Sequence, residues 1–160
     1  MKNPKADDLT IFSKRLSESN LIAALRFLND RTPHRFTAVY RFDQDVLRNV
    51  AMIDKWETQV EQGADVLMAD AYCAHLRATG EPLQVADGPS DPRVPWMSGS
   101  SIVSYCGAVI SDDQGERWGA LCHFDSETCE SKESDMPLLV AAASLIYRSA
   151  SPEAAPSTNL

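Results

Sequence analysis

Apolar and polar positions along this chain follow two rhythms. Leu9, Phe12 and Leu16 recur at helical spacing, and after the polar run Ser17-Glu18-Ser19-Asn20 the spacing resumes with Leu21, Leu25 and Leu28. Ser19 or Asn20 suits the cap of this second helical segment, because either side chain can accept from an unpaired first-turn N–H. Thr32-Pro33 ends it, since the residue before a proline avoids helical backbone. The period then shortens to two. Residues Phe36 to Phe42 are rich in β-branched and aromatic side chains, Asp43-Gln44-Asp45 reads as a turn, and Val46 to Ile53 return, which predicts a hairpin.

Asp65 is placed to cap a helix running to about Thr79, with Gly80 as its left-handed stop. Apolar residues Val66, Leu67, Met68, Ala71, Tyr72, Cys73 and Leu76 wrap around most of this segment, which predicts a largely buried helix. A short strand follows from Leu83 to Asp87. The stretch from Gly88 to Trp96 holds three prolines, which forbid both a ladder and a long helix, and so reads as a loop. The strongest local signal is a second hairpin. Ser101 to Ser111 and Arg117 to Asp125 flank Asp112-Asp113-Gln114-Gly115-Glu116, a turn with the glycine such connections use. Asp135 then caps a final helix with Pro137 in its first turn and a stripe of Leu138, Leu139, Ala142, Leu145 and Ile146.

Two hairpins separated by helical segments predict an α/β (α+β) fold with a central antiparallel sheet and helices packed on its faces. The unit expected to fold spans residues 1–149, and the Ser/Pro/Ala-rich stretch 150–160 reads as a disordered tail. A chain of 160 residues is the length of one ordinary domain, and 44% hydrophobic composition is enough for a real core. No apolar run approaches the ~20 residues needed to span a bilayer. The N-terminal residues lack the apolar stretch of a secretory signal, which points to a soluble, cytoplasmic protein without membrane attachment.

A net charge of −8 with scattered Lys and Arg argues against a nucleic-acid partner, because phosphate backbones are held by clustered cations. The four cysteines, Cys73, Cys106, Cys122 and Cys129, show no C-x-x-C spacing and no metal-binding arrangement with histidine. If the second hairpin folds about Gln114, positions summing to about 228 face each other and Cys106 stands opposite Cys122. Two thiols packed in the sheet is the plainer reading of such a pair, and a one-residue change of register would put them on opposite faces.

Several fragments, taken together, resemble a known family. Tyr72-Cys73-Ala74, Ala78-Thr79-Gly80-Glu81-Pro82-Leu83 and Val85-Ala86-Asp87 with Asp91-Pro92-Arg93 are similar to the middle of GAF domains. Tyr105-Cys106-Gly107-Ala108, Gly115 and Gly119-Ala120-Leu121-Cys122-His123-Phe124-Asp125 are similar to that family's last hairpin. The likeness covers roughly residues 8 to 149. It implies an antiparallel sheet of five or six strands, with the first and last helices together on one face. A ligand cavity would lie on the other face, under the middle helix and the loop after it. The family includes sensors of cyclic nucleotides, haem, bilins and small metabolites, and one reductase.

The resemblance therefore implies a sensory or regulatory domain in signal transduction that binds a small-molecule ligand, assembled as a homodimer through its terminal helices and able to act on a signalling protein partner. The residues expected at the ligand site are Tyr72, Cys73, Asp87, Asp91, Arg93, Trp96, Ser104 and Tyr105, which combine aromatic walls with a few polar groups. Arg93 is suited to a carboxylate or phosphate through its planar fork, while a salt bridge with Asp91 that merely shapes the loop is the plainer role. No haem, bilin or nucleotide motif stands out. The stretch Glu127 to Asp135 departs from the Asn-Lys-Phe-Asp-Glu set of cyclic-nucleotide members, and His75 is the one histidine positioned for a cavity ligand. Two alternatives remain: a thiol-dependent free methionine-(R)-sulfoxide reductase and a ligand-free dimerisation module. Against the reductase, residues Gly88 to Ser101, where the attacking cysteine belongs, contain none.

Overall fold

The computed structural model of the chain describes residues 4–130 and 135–150. Helices α1 (Pro4–Glu18) and α2 (Leu21–Asn29) are followed by strands β1 (Phe36–Asp43), β2 (Val46–Asp54) and β3 (Val66–Leu67). Helix α3 (Cys73–Thr79) precedes β4 (Leu83–Val85), β5 (Ser104–Ser111) and β6 (Arg117–Asp125), and helices α4 (Asp135–Ala143) and α5 (Tyr147–Ala150) close the described chain. The tail from 151 onward and the Asp135 side chain, expected to cap the last helix, lie outside the described residues.

All strand pairs are antiparallel in one six-stranded sheet, ordered β3-β2-β1-β6-β5-β4. The two hairpins sit side by side at its centre. The edges are a two-residue strand on one side and a three-residue strand on the other, and the chain from Val66 to Val85 passes from one edge to the other. Asn20 caps α2, its side-chain oxygen accepting from the Ala23 N–H at 2.8 Å.

Alternation along the strands divides the interior into two cores. One face meets α1, α2 and α4 and buries Phe12, Leu25, Leu28, Val39, Leu121, Leu139 and Ile146. Each such side chain contributes roughly 1.5–3 kcal/mol through its removal from water. The opposite face buries Ala38, Leu47, Leu76, Val85, Tyr105 and Cys122 beneath α3 and the loop that follows β4. First and last helices thus share one face, as expected.

Three expectations are corrected. No helix starts at Asp65. Its carboxylate accepts from the Asn49 N–H at 2.9 Å and from Arg48 at 3.0 Å, so the chain stays extended and Val66 and Leu67 pair with Leu47 and Val46. A 3-10 turn at Met68–Asp70 and an extended Ala71 intervene before α3, which Gly80 does end at φ 73°. The apolar residues that suggested a buried helix belong to three different local structures, and Leu67 is 58% exposed. The last helix is also broken: α4 stops at Ala143, and Leu145 faces outward in the turn before α5.

The third correction concerns the thiols. Ser111 pairs with Arg117, but Ile110 pairs with Gly119, so Trp118 is an extra residue bulged out of the ladder. From there inward the register advances by one. Cys106 faces His123 and Cys122 faces Gly107, so the two cysteines occupy opposite faces of the sheet. The bulge directs the Trp118 ring against Tyr147, edge to face at 5.5 Å between centroids.

Candidate functional site

On the face away from the terminal helices, the sheet and its covering segment leave a cavity of about 100 Å³. Its floor is Tyr40 from β1, Leu47 from β2, Tyr105 from β5 and Cys122 from β6. Tyr72 and Cys73 at the start of α3, with Met97 and Ile102 from the loop, form the roof, and Asp70 and Ser100 are polar lining residues. Most of the lining is apolar, so the few polar atoms set what the space can recognise.

Two tyrosines make the aromatic wall. The rings of Tyr72 and Tyr105 stack with centroids 5.0 Å apart and planes 20° from parallel. Each lies over a glycine: a Cβ on Gly88 would fall 2.0 Å from the Tyr72 hydroxyl, and one on Gly107 would fall 2.2 Å from that of Tyr105. Tyr72 donates to the Ile102 carbonyl at 2.6 Å, which ties the roof to the strand entering the sheet. The Tyr105 hydroxyl lies 3.0 Å from the Cys73 sulfur.

The Cys73 and Cys122 thiols both line this cavity, and Cys122 directs its S–H at the Ala38 carbonyl at 3.8 Å. The neighbouring Cys122 thiol, and then the Tyr105 hydroxyl, hold the Cys73 thiol below its usual range against the opposing effect of burial. Cys122 moves the other way, pushed well up first by burial and then by Cys73. Burial also raises Tyr105 well above the normal phenol range, with the neighbouring Cys73 adding to it, so its hydroxyl stays protonated as a donor.

A GAF domain family model matches residues 18–149. The chain belongs to the GAF family. No curated protein matches it in sequence. Among solved structures, the GAF domain from an Acinetobacter phosphoenolpyruvate-protein phosphotransferase superposes with TM-score 0.72 at 13% identity, covering 91% of this chain and 92% of that one. A free methionine-R-sulfoxide reductase from Neisseria meningitidis, solved with its substrate, gives 0.70 at 16% identity over 92% and 90%. The phycocyanobilin-bound GAF domain of a cyanobacterial phytochrome gives 0.67 at 14% identity over 91% and 93%. At these identities the likeness is one of fold.

Within this GAF fold, three of the expected residues, Tyr72, Cys73 and Tyr105, come together around the cavity. Arg93 lies outside it. Its guanidinium holds Asp91 through two bonds of 3.0 and 2.6 Å and donates to the Gln84 carbonyl at 2.6 Å, drawing the Asp91 carboxyl below its usual range. Asp87 joins Asp91 and Arg93 along a shallow outer groove. The Trp96 ring is 42% exposed beside Met68 and His75, while its N–H donates to the Ala71 carbonyl at 2.9 Å. Ser104 is fully buried and donates to the Glu127 carbonyl at 2.7 Å.

Tyr40, Leu47, Met97 and Cys122 line the GAF cavity without having been read from the sequence as site residues. For Tyr40 and Cys122 the available signal was strand alternation, which places them on the same face as Tyr105 once the bulge at Trp118 is known. The other buried polar cluster is on the helix side. His34 and His123 stack at 5.9 Å, with the ring nitrogens Nδ1 at 2.7 Å from the Thr32 hydroxyl and 2.6 Å from the Thr37 hydroxyl respectively. Burial, the largest influence on each, lowers His34 to about 4 and His123 to about 3. Asn29 donates to the Thr37 oxygen at 3.0 Å.

Proposed function

We propose that this GAF domain is a sensory or regulatory unit that binds a small molecule in the cavity between Tyr72, Cys73, Tyr105 and Cys122. The observation that carries the reading is the pair of stacked tyrosines enclosing an otherwise apolar space with two thiols at its wall. At about 100 Å³ the space favours a ligand well below drug size, since drug-sized ligands fill roughly 300–1,000 Å³. Arg93, Asp87 and Trp96 then act at the rim, where Arg93 and Trp96 fix the loop that closes the roof.

Native mass spectrometry of the purified protein tests the reading. A bound small molecule that is lost in Tyr105→Ala, with far-ultraviolet dichroism unchanged, is the expected result. A protein with no bound molecule, and no thermal shift across a panel of small metabolites, leaves the dimerisation-only alternative.

The same reading includes a homodimer in the cytoplasm, joined through the terminal helices and acting on a signalling partner. Support comes from Val140 on α4 and Leu145 in the turn after it, apolar side chains that are 44% and 38% exposed. Among the described residues no helix is long and apolar enough to cross a membrane.

A further inference from the structure

The cavity holds two of the four cysteines, and the fold selects which two. The bulge at Trp118 turns Cys122 toward the roof and leaves Cys106 on the helix side, and Cys129 lies beyond the end of β6. Cys73, the first residue of α3, lines the same cavity of about 100 Å³ from its roof, facing the floor that holds Cys122. Tyr105, laid flat over Gly107, brings its hydroxyl to the same sulfur. We propose that Cys73 and Cys122 form a peroxide-reactive dithiol that closes to a reversible disulfide between α3 and β6. This goes beyond small-ligand binding and does not require it.

The roles follow from the asymmetry of the pair. The Tyr105 hydroxyl lies 3.0 Å from the Cys73 sulfur, where it can donate to a thiolate, so Cys73 is the attacking thiolate, whereas Cys122 directs its S–H at the Ala38 carbonyl and is the resolving thiol. The co-reactant is hydrogen peroxide, which is small enough for a cavity of about 100 Å³. The Cys73 thiolate attacks one peroxide oxygen. An S–O bond forms, the O–O bond breaks, and hydroxide leaves and takes up the proton shed by Cys73, giving sulfenic acid and water. Cys122 then attacks the Cys73 sulfur. The S–S bond forms as the S–O bond breaks, and the departing hydroxide takes the Cys122 proton to become the second water. Two thiols are oxidised by two electrons and one peroxide is reduced to two waters.

Peptide mapping without reductant, after treatment of the folded protein with equimolar hydrogen peroxide, tests the proposal. A linked Cys73–Cys122 peptide that disappears on adding dithiothreitol is expected. In Cys122→Ser the reaction should stop at a Cys73 sulfenic acid that dimedone labels. Retention of all four thiols in the wild-type protein would overturn the proposal, as would oxidation that falls on Cys106 or Cys129. Dimedone failing to label Cys73 in Cys122→Ser would overturn it as well. A parallel arm supplies free methionine-(R)-sulfoxide instead of peroxide; linkage driven by the sulfoxide in preference to peroxide would replace a peroxide-reactive site with reductase chemistry. Ligand binding by the wild-type protein kept reduced in excess dithiothreitol reports on the proposed function separately, so the two can fail independently.

Discussion

The ring of Tyr105 lies flat across Gly107, two residues along its own strand, so closely that a Cβ on that glycine would sit 2.5 Å from the ring carbon bearing the hydroxyl. A tyrosine on a sheet normally stands away from the backbone, and here the missing side chain lets it lie down and reach Cys73. Gly107→Ala should therefore displace a buried aromatic ring and cost roughly 1–3 kcal/mol, the range for overpacking a core. In a Tyr105→Ala background the same glycine change should cost markedly less, because the colliding ring is gone. Urea unfolding of the four proteins measures this coupling; equal costs in both backgrounds would remove the explanation.

Arg93→Ala separates the inner cavity from the outer groove. The Arg93 side chain is 51% exposed and pairs with Asp91 in its own loop, so its loss should cost under about 1 kcal/mol of stability. If the ligand occupies the inner cavity, affinity should hardly change. Calorimetric titration that shows a tenfold or greater loss of affinity, with the melting temperature unmoved, would place the ligand in the groove with Arg93.

Acid should loosen the helix-side core. His34 and His123 have their pKa values lowered to about 4 and about 3, from an ordinary 6.5, chiefly by burial, with Lys55 lowering both and Asp125 opposing at His34. The folded state holds both rings neutral, so the unfolded chain binds protons first as pH falls. Their contribution is whole above about 6.5 and is lost as pH drops toward about 4 for His34 and about 3 for His123. Denaturant midpoints should fall by an amount equivalent to a few kcal/mol between about pH 7 and about pH 5. His123→Gln should flatten that slope. An unchanged slope would show that other groups govern the acid response.

Assembly is checked by light scattering. A mass twice 17.6 kDa is expected for the protein, and Leu145→Asp should return it to a single chain by placing a charge on the exposed apolar face. A monomer at high micromolar concentration in the unmodified protein contradicts the assembly.

Features with local causes were legible in the sequence. The Asn20 cap, the two central hairpins and the Gly80 stop each depend on residues within a few positions, and each stands where the pattern places it. Features with distant causes were not. Asp65 looks like a helix cap until Asn49 and Arg48 bind its carboxylate from another strand. The Trp118 bulge answers to Tyr147, about thirty residues on, and only that step decides which thiol meets Cys73. Tyr72, Cys73 and Tyr105 could be read because they flank recognisable family fragments. Tyr40 comes from a strand far earlier in the chain, and only the assembled sheet brings it to the cavity.

The segment that roofs the cavity is slung like a hammock between the two margins of the sheet, tied by a two-residue strand at one end and a three-residue strand at the other. The two-residue knot, with few ladder bonds and an exposed Leu67, comes undone at a small fraction of the free energy that unravels the middle four strands, while the three-residue knot is held by the buried Leu83 and Val85. Under the proposed function a ligand would enter past the β2–β3 margin, while the two central hairpins stay shut. If a small molecule occupies the cavity as proposed, its rate of exchange can be tuned by substitutions at the half-buried Val66 or the exposed Leu67 that leave the melting temperature almost where it was.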